Sequence, residues 1–367
     1  MRRSWVKDIC RAELKNLKAY VPGKPISEVK RELEIREIVK LASNESPYPP
    51  FPEAIAAMEK VLLEGNRYPD SNCFLLKERL SHFLSVPTEN LLVGNGSNEL
   101  VRLIAQAVLN LREKAVMATP SFVVYPTVTK MMGGVCVEIP LNEYRHDLSA
   151  MLEAVDEKTK LVFVCNPNNP TGTIVTKEEL DEFMRGIPED VVVVLDEAYF
   201  EYVEDKRYPN GLDYFRQGKL VVVLRTFSKI YSLAGCRIGY GVAPEFLVQA
   251  IGKIKEPFSV NAVAQAGALA SLACQGEANK RRRLNSENKK HLYEQLEGLK
   301  VRYVPSEANF ILVDVGVNSK EIFERLLREG VIVRSGDIFG YDTCIRVTIG
   351  TREENDKFIK ALEKVLR

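Results

Sequence analysis

The chain has 367 residues, 46% hydrophobic and 28% charged, with a formal net charge of +1, so no global field recruits nucleic acid or an anionic membrane. Its 41.4 kDa exceed one small core and point to two domains. The seven cysteines form no C-x-x-C pair and the three histidines no H-E-x-x-H spacing, which argues against a disulfide framework and a metal site.

In chain order, residues 1–40 are charged, begin with a helical pattern and pass through the turn Tyr20-Val21-Pro22-Gly23. Trp5 to Leu17 is broken by charges and has no signal-peptide apolar region, and no apolar run reaches membrane-spanning length, so a cytoplasmic enzyme is expected. The proline- and serine-rich LASNESPYPPFP (Leu41 to Pro52) is a rigid non-helical segment before a helix starting near Glu53. RYPD (Arg67 to Asp70) reads as an exposed turn before an amphipathic helix, Leu75 to Leu84.

A short strand, Leu91 to Val93, then runs through Gly-Asn-Gly into a helix that starts at Ser97-Asn98-Glu99. Free N–H groups and the positive dipole end converge at such a turn and favour an anion, in particular a phosphate. The same residues nearly match the dinucleotide fingerprint G-x-G-x-x-G, with Glu99 in place of the third glycine.

From there short apolar runs alternate with helical patterns: Lys114 to Thr119, Val135 to Ile139, Lys160 to Cys165, Val191 to Leu195, Leu220 to Leu224 and Arg237 to Ala243. The rhythm predicts a doubly wound, mostly parallel sheet covered on both faces. A helical stretch from Val260 to Leu299 changes it. Strands near Val301 to Val304, Asn309 to Val315, Val331 to Arg334 and Cys344 to Ile349 follow, with helices at Ser319 to Glu329 and Arg352 to Leu366, as a smaller α/β domain. The expected division is an arm and part of the small domain over 1–40, a large domain over 41–255 and a small domain over 256–367. The basic run Lys280 to Arg283 reads as a solvated helix face.

Chemistry-bearing residues gather where strands end, the edge at which open α/β sheets bind ligands. Phe122 follows one strand, Asn169 lies in the turn-rich NPNNPTG, and VVVVLDEAY ends in Asp196 and Glu197, which need a cation nearby. RTFSKIYSLAGCRIGY (Arg225 to Tyr240) sets Thr226, Ser228, Lys229 and Arg237 in one short stretch. The hydroxyls and the guanidinium suit an anion. The lysine either neutralises a phosphate or condenses with a carbonyl. The strand-then-DE pattern also fits a magnesium-holding ATPase element, but no G-x-x-x-x-G-K-[ST] accompanies it.

NPNNPTG, DEAY and RTFSKxxxLAGxRIGY, in this order and with GNGSNE and PSF upstream, resemble the fold-type I pyridoxal phosphate (PLP) enzymes of the class I and II aminotransferases. NLKAYVPGK, LASNESPYP, RYPD and CIRVTIGTREEN are similar to the histidinol-phosphate aminotransferases within them. The resemblance implies that Lys229 forms the Schiff base and shuttles the proton. It implies that Asp196 keeps the pyridine nitrogen protonated, that Asn169 and Tyr199 bind the phenolic oxygen and that Phe122 stacks on the ring. Ser97, Asn98, Thr226, Ser228 and Arg237 would take the cofactor phosphate, joined by Tyr68 from the other subunit of a homodimer. Tyr20, Asn44, Arg334 and Arg346 would bind substrate. Pro49, Asn98 and Phe122 depart from the family's usual glycine, aspartate and tyrosine.

The implied reaction is transamination between L-histidinol phosphate and 2-oxoglutarate. An aromatic amino acid aminotransferase and a PLP-dependent decarboxylase of a phosphorylated amino acid are alternatives on the same fold. A nicotinamide-dependent oxidoreductase would instead use GNGSNE as its dinucleotide turn, against which the missing third glycine speaks.

Overall fold

A computed structural model describes residues 10–17, 28, 29, 31 and 37–367. After the short strand β1 (Val39–Lys40) come the strands of one large sheet: β2 (Leu91–Gly94), β3 (Lys114–Thr119), β4 (Val135–Pro140), β5 (Thr159–Cys165), β6 (Val192–Asp196), β7 (Val221–Thr226) and β8 (Gly239–Val242). Their spatial order is β2-β8-β7-β6-β5-β3-β4. Strands β3 to β7 pair in parallel, and β8 runs antiparallel to both its neighbours.

The central strands are apolar throughout because both faces are covered. Val193, Leu195, Val221 and Val223 belong to the core on one face; Val192, Val194, Val222 and Leu224 belong to the core on the other. Alternation at period 2 sorts them. Each buried valine or leucine contributes about 1.5–3 kcal/mol relative to exposure. Edge strand β4 is only partly buried and ends in Pro140, whose missing N–H an edge tolerates.

A second sheet holds β9 (Arg302–Val304), β10 (Phe310–Asp314) and, after β11 (Val331–Ile332), β12 (Arg334–Ser335) and β13 (Cys344–Thr348). Its order is β12-β13-β10-β9, all antiparallel, while β11 pairs in parallel with β1. Ile311, Val313, Ile345 and Val347 face Ile322 and Leu326 of helix Ser319–Arg328 and Phe358 and Leu362 of helix Arg352–Leu366. Thr351 and Glu354 close a capping box on the last helix. Among the described residues no helix is long and apolar enough to cross a membrane.

The structure departs from the sequence pattern in three places. The stretch Val260 to Leu299 is two helices, Ala262–Ser271 and Gln275–Gly298, broken where Cys274 turns to ψ 42°. The first of them packs Ala264 and Ala268 into the large-sheet core beside helices Pro52–Leu62 and Phe74–Leu84. The expected strand Val331 to Arg334 divides at Val333, and its halves join different sheets. The run Lys280 to Arg283 is not uniformly solvated: the Arg281 side chain is only 6% exposed.

The two carboxylates that end β6 meet different partners. Glu197 takes a buried guanidinium: Arg225 Nε donates to Glu197 Oε2 at 2.9 Å, and Arg225 Nη2 donates to Asn210 Oδ1 at 2.9 Å. The Gly211 N–H donates to Glu197 Oε1 at 2.7 Å, and the guanidinium lies 3.4 Å from the Phe200 ring centre. Removing one member of such a pair strands the other charge. Glu197→Leu is therefore expected to cost about 3–5 kcal/mol in urea unfolding, with most of it recovered in Glu197→Leu/Arg225→Met. A double variant no more stable than the single one would contradict the pairing.

Candidate active site

Asp196 sits at the end of β6, 3% exposed. The Tyr125 hydroxyl donates to its Oδ2 at 2.7 Å, while Oδ1 is buried without a hydrogen-bond partner. Burial pushes this carboxyl up to about 6, opposed by the Tyr125 hydroxyl and the Ala198 N–H. Tyr125 is held on helix Val124–Met131, its ring stacked 4.5 Å from Phe163 and edge-on to Phe122 at 5.5 Å. Sequence reasoning missed Tyr125. It lies in the same TPSFVVYP stretch, three residues past Phe122, which precedes the helix and meets the Tyr125 ring edge-on.

Lys229 lies on the loop leaving β7, and its Nζ donates to Asn44 O at 3.0 Å and Ser43 O at 3.3 Å. Burial, aided by the Arg346 guanidinium, lowers its amine to about 7. Near neutral pH a large fraction is thus unprotonated and nucleophilic. Asn44 is fixed from several directions at φ 53°. Its N–H donates to Thr348 Oγ1 at 2.9 Å, its Nδ2 to the Tyr199 hydroxyl at 2.9 Å, and Asn309 Nδ2 donates to its carbonyl at 3.1 Å. Burial raises the Tyr199 phenol well above its usual range, keeping the hydroxyl protonated.

The other end of the cavity is built for an anion. The turn after β2 reaches Gly96 at φ 78° and opens helix Ser97–Val108. Where a third glycine was absent, Glu99 does structural work: its Oε2 accepts the Asn95 N–H at 2.7 Å and the Ser259 hydroxyl at 3.2 Å. A Cβ on Gly239 would stand 2.4 Å from the Ser97 backbone N, and one on Gly96, at φ 78°, would stand 2.3 Å from Arg237 Nη2 and displace that guanidinium. Thr226 Oγ1 accepts the Ser228 N–H at 3.1 Å, and Arg237 Nη1 donates to Ala234 O at 3.1 Å.

Arg346 of β13 stands opposite Arg334 of β12 in register. Its Nη1 donates to Asn169 Oδ1 and its Nη2 to Ala42 O at 2.9 Å, with Phe310 and Phe339 rings 5.4 and 5.3 Å away. Because the Asn169 oxygen is taken by Arg346, its NH2 remains the group to offer a ligand. Arg334, Arg346, Asn169 and Ala42 line a cavity of about 310 Å³ together with Asn44, Ser97, Asn98, Phe122, Asp196, Tyr199, Thr226, Ser228, Lys229 and Arg237. Tyr68 is not among them: it is 83% exposed and stacks on Phe258 at 4.6 Å. Tyr20 lies outside the described residues.

The large mixed sheet, the second α/β sheet and a lysine facing a strand-end carboxylate define the fold-type I architecture of the pyridoxal-phosphate-dependent enzymes. The sequence model for aminotransferase class I and II matches residues 36–362, and the chain belongs to that family. It is 50% identical to the histidinol-phosphate aminotransferase of Moorella thermoacetica, over 97% of this chain and 93% of that one. With histidinol-phosphate aminotransferase 2 of Carboxydothermus hydrogenoformans it shares 49%, over 97% and 99%. The crystal structure of the Sinorhizobium meliloti histidinol-phosphate aminotransferase in complex with pyridoxal-5'-phosphate superposes with a TM-score of 0.90 at 27% identity, covering 98% of each chain.

Gly96→Ala is expected to leave the fold intact and weaken cofactor retention at least about tenfold, since the new methyl collides with the Arg237 guanidinium in a backbone region that L residues disfavour. Equilibrium dialysis of cofactor against apoprotein measures it, and unchanged affinity would remove the anion role from this turn.

Proposed function

We propose that the protein transfers the amino group of L-histidinol phosphate to 2-oxoglutarate, giving imidazole acetol phosphate and glutamate, with pyridoxal phosphate as its cofactor. The residues present fit that cofactor. The buried, unpartnered Asp196 Oδ1 awaits a donor such as a protonated ring nitrogen. The glycine-walled turn with Ser97, Asn98, Thr226, Ser228 and Arg237 suits its phosphate.

When bound, pyridoxal phosphate supplies a carbonyl and an electron-withdrawing pyridinium ring. Lys229 Nζ would anchor that carbonyl and take up the proton of the substrate's amine-bearing carbon, a task suited to an amine lowered to about 7. Asp196 would keep the ring nitrogen protonated. Asn169 and Tyr199 would bind the phenolic oxygen and Phe122 would stack on the ring. Asn44 positions Tyr199 through its amide, and the resemblance assigns Tyr20 to the substrate phosphate. Tyr68, exposed here, serves the neighbouring site of a homodimer, and the enzyme works in the cytoplasm. The functional division lies between a cofactor-binding large unit and a small unit that carries Arg334 and Arg346.

The observation that carries the substrate is the pair of guanidinia opposed across β12 and β13. A dianionic phosphate uses both, whereas one carboxylate is satisfied by a single bidentate arginine. The relatives described above, which bear the histidinol-phosphate name, favour the same reading over an aromatic amino acid donor or a decarboxylation.

Lys229→Ala is expected to abolish turnover, and borohydride followed by mass spectrometry should find the cofactor on Lys229 in the parent enzyme. A label on any other lysine would overturn the assignment. Arg334→Ala should lower kcat/KM for histidinol phosphate by a charge-assisted bond, roughly 1.5–3 kcal/mol. Any activity on phenylalanine should stay unchanged, and steady-state kinetics on both donors decides: equal losses would sink the phosphate reading.

A further inference from the structure

We propose that Arg281 is a positioning residue for Lys229, its guanidinium tying together the two backbone segments between which the lysine amine is held. The inference rests on the reading of Lys229 as the cofactor-anchoring amine.

Arg281 projects from helix Gln275–Gly298. Its Nη1 donates to Ile230 O at 3.3 Å and to the Ser232 hydroxyl, and its Nη2 donates to Pro49 O at 2.7 Å. The Phe51 ring centre lies 4.2 Å from the guanidinium carbon. Ile230 directly follows Lys229, and Ser232, at φ 58°, closes a turn by donating its N–H to Lys229 O at 3.0 Å. Pro49 belongs to the segment whose Ser43 and Asn44 carbonyls accept from Lys229 Nζ. One cation therefore grips the lysine's own loop on one side and its acceptor segment on the other. Only a planar fork of several donors spans three acceptors at once; an ammonium does not reproduce that geometry.

Packing alone explains this poorly. Glu277 Oε1 lies 3.7 Å from Arg281 Nε, which is buried without a hydrogen bond, and the other polar contacts are neutral oxygens. A guanidinium so thinly compensated is costly to bury. The largest charges acting on the lysine amine are Arg346, Glu45, Arg237 and Asp196, whereas Arg281 bonds to the backbone on either side of it. Its influence on Lys229 is thus geometric. It keeps the loop closed and the amine out of water, the main reason the amine is depressed.

The test is cofactor capture by apoenzyme as a function of pH, followed by the absorbance of the bound chromophore. In the parent protein the capture rate should rise with pH through a midpoint of about 7, as the amine loses its proton. Arg281→Met should move that midpoint up by about one unit and slow capture at pH 7 about fivefold, because a loosened loop admits water and restores proton affinity. Arg281→Lys, which keeps the charge, should fall between. Lys289→Met is the control: Lys289 is buried on the same helix and donates to Ser306 O at 2.6 Å, away from the lysine loop. It should lower the melting temperature without moving the midpoint. An unmoved midpoint in Arg281→Met, or in Arg281→Lys if the methionine variant does not fold, would overturn the proposal, as would an equal shift in the control. Failure of the underlying reading is separable: the parent protein would then capture cofactor without labelling Lys229.

Discussion

The site depends on the cost of taking charge out of water at the ends of two neighbouring strands. Burial pushes the Asp196 carboxyl up to about 6 and the Lys229 amine down to about 7, so each is displaced toward its neutral form from the opposite side. Neither is neutralised by a full counter-ion at close range. Asp196 has a tyrosine hydroxyl, and Lys229 has two backbone carbonyls. Such under-compensated groups persist because the surrounding strands and helices are already fixed by apolar burial.

Beside these strand ends the logic reverses. Glu197 and Arg225 satisfy each other inside the protein, while their chain neighbours Asp196 and Thr226 line the cavity. The compensated pair clamps the ends of β6 and β7. Asp196 beside it therefore holds its place with Oδ1 left open to a ligand. That is preorganisation in a specific sense: polar atoms are left unsatisfied where a ligand completes them, on elements whose geometry is set elsewhere.

Much of this was legible in the sequence. Continuous runs such as VVVVL and LVVVL show buried parallel strands, and Asp196, Thr226, Ser228 and Lys229 follow them within a few residues, so strand ends locate the site. Tyr125, the Glu197–Arg225 pair and Arg281 were not read. The first two need facts that no single stretch holds: which way a helical hydroxyl turns, and which strands are neighbours at which register. Arg281 is different, since its signal was available. Stepping back from Leu296 and Leu292 at helical spacing reaches Asn288, Asn285 and Arg281, all on the buried face. A cluster of like charges hid the one member that the helix period turns inward. Tyr68 shows the converse limit: it is exposed on Phe258 and outside the cavity, and the role proposed for it toward a second subunit has no geometric signature within one chain.

The lysine amine is also where the two sheets meet. Its backbone belongs to the loop after β7, but its hydrogen-bond acceptors belong to the segment that continues β1, which pairs with β11. Leu41 N donates to Ile332 O, Thr348 N donates to Leu41 O, and Asn44 is bonded to Thr348 of β13 and Asn309 beside β10. Arg346, from β13, reaches back to Asn169 of the large sheet and to Ala42 of the same segment. The segment 41–45 therefore transmits any displacement of the second sheet to the Lys229 amine and to the Arg346 guanidinium together. The distance between these two cations is set by one short stretch of backbone, and not by the separate cores on either side of it.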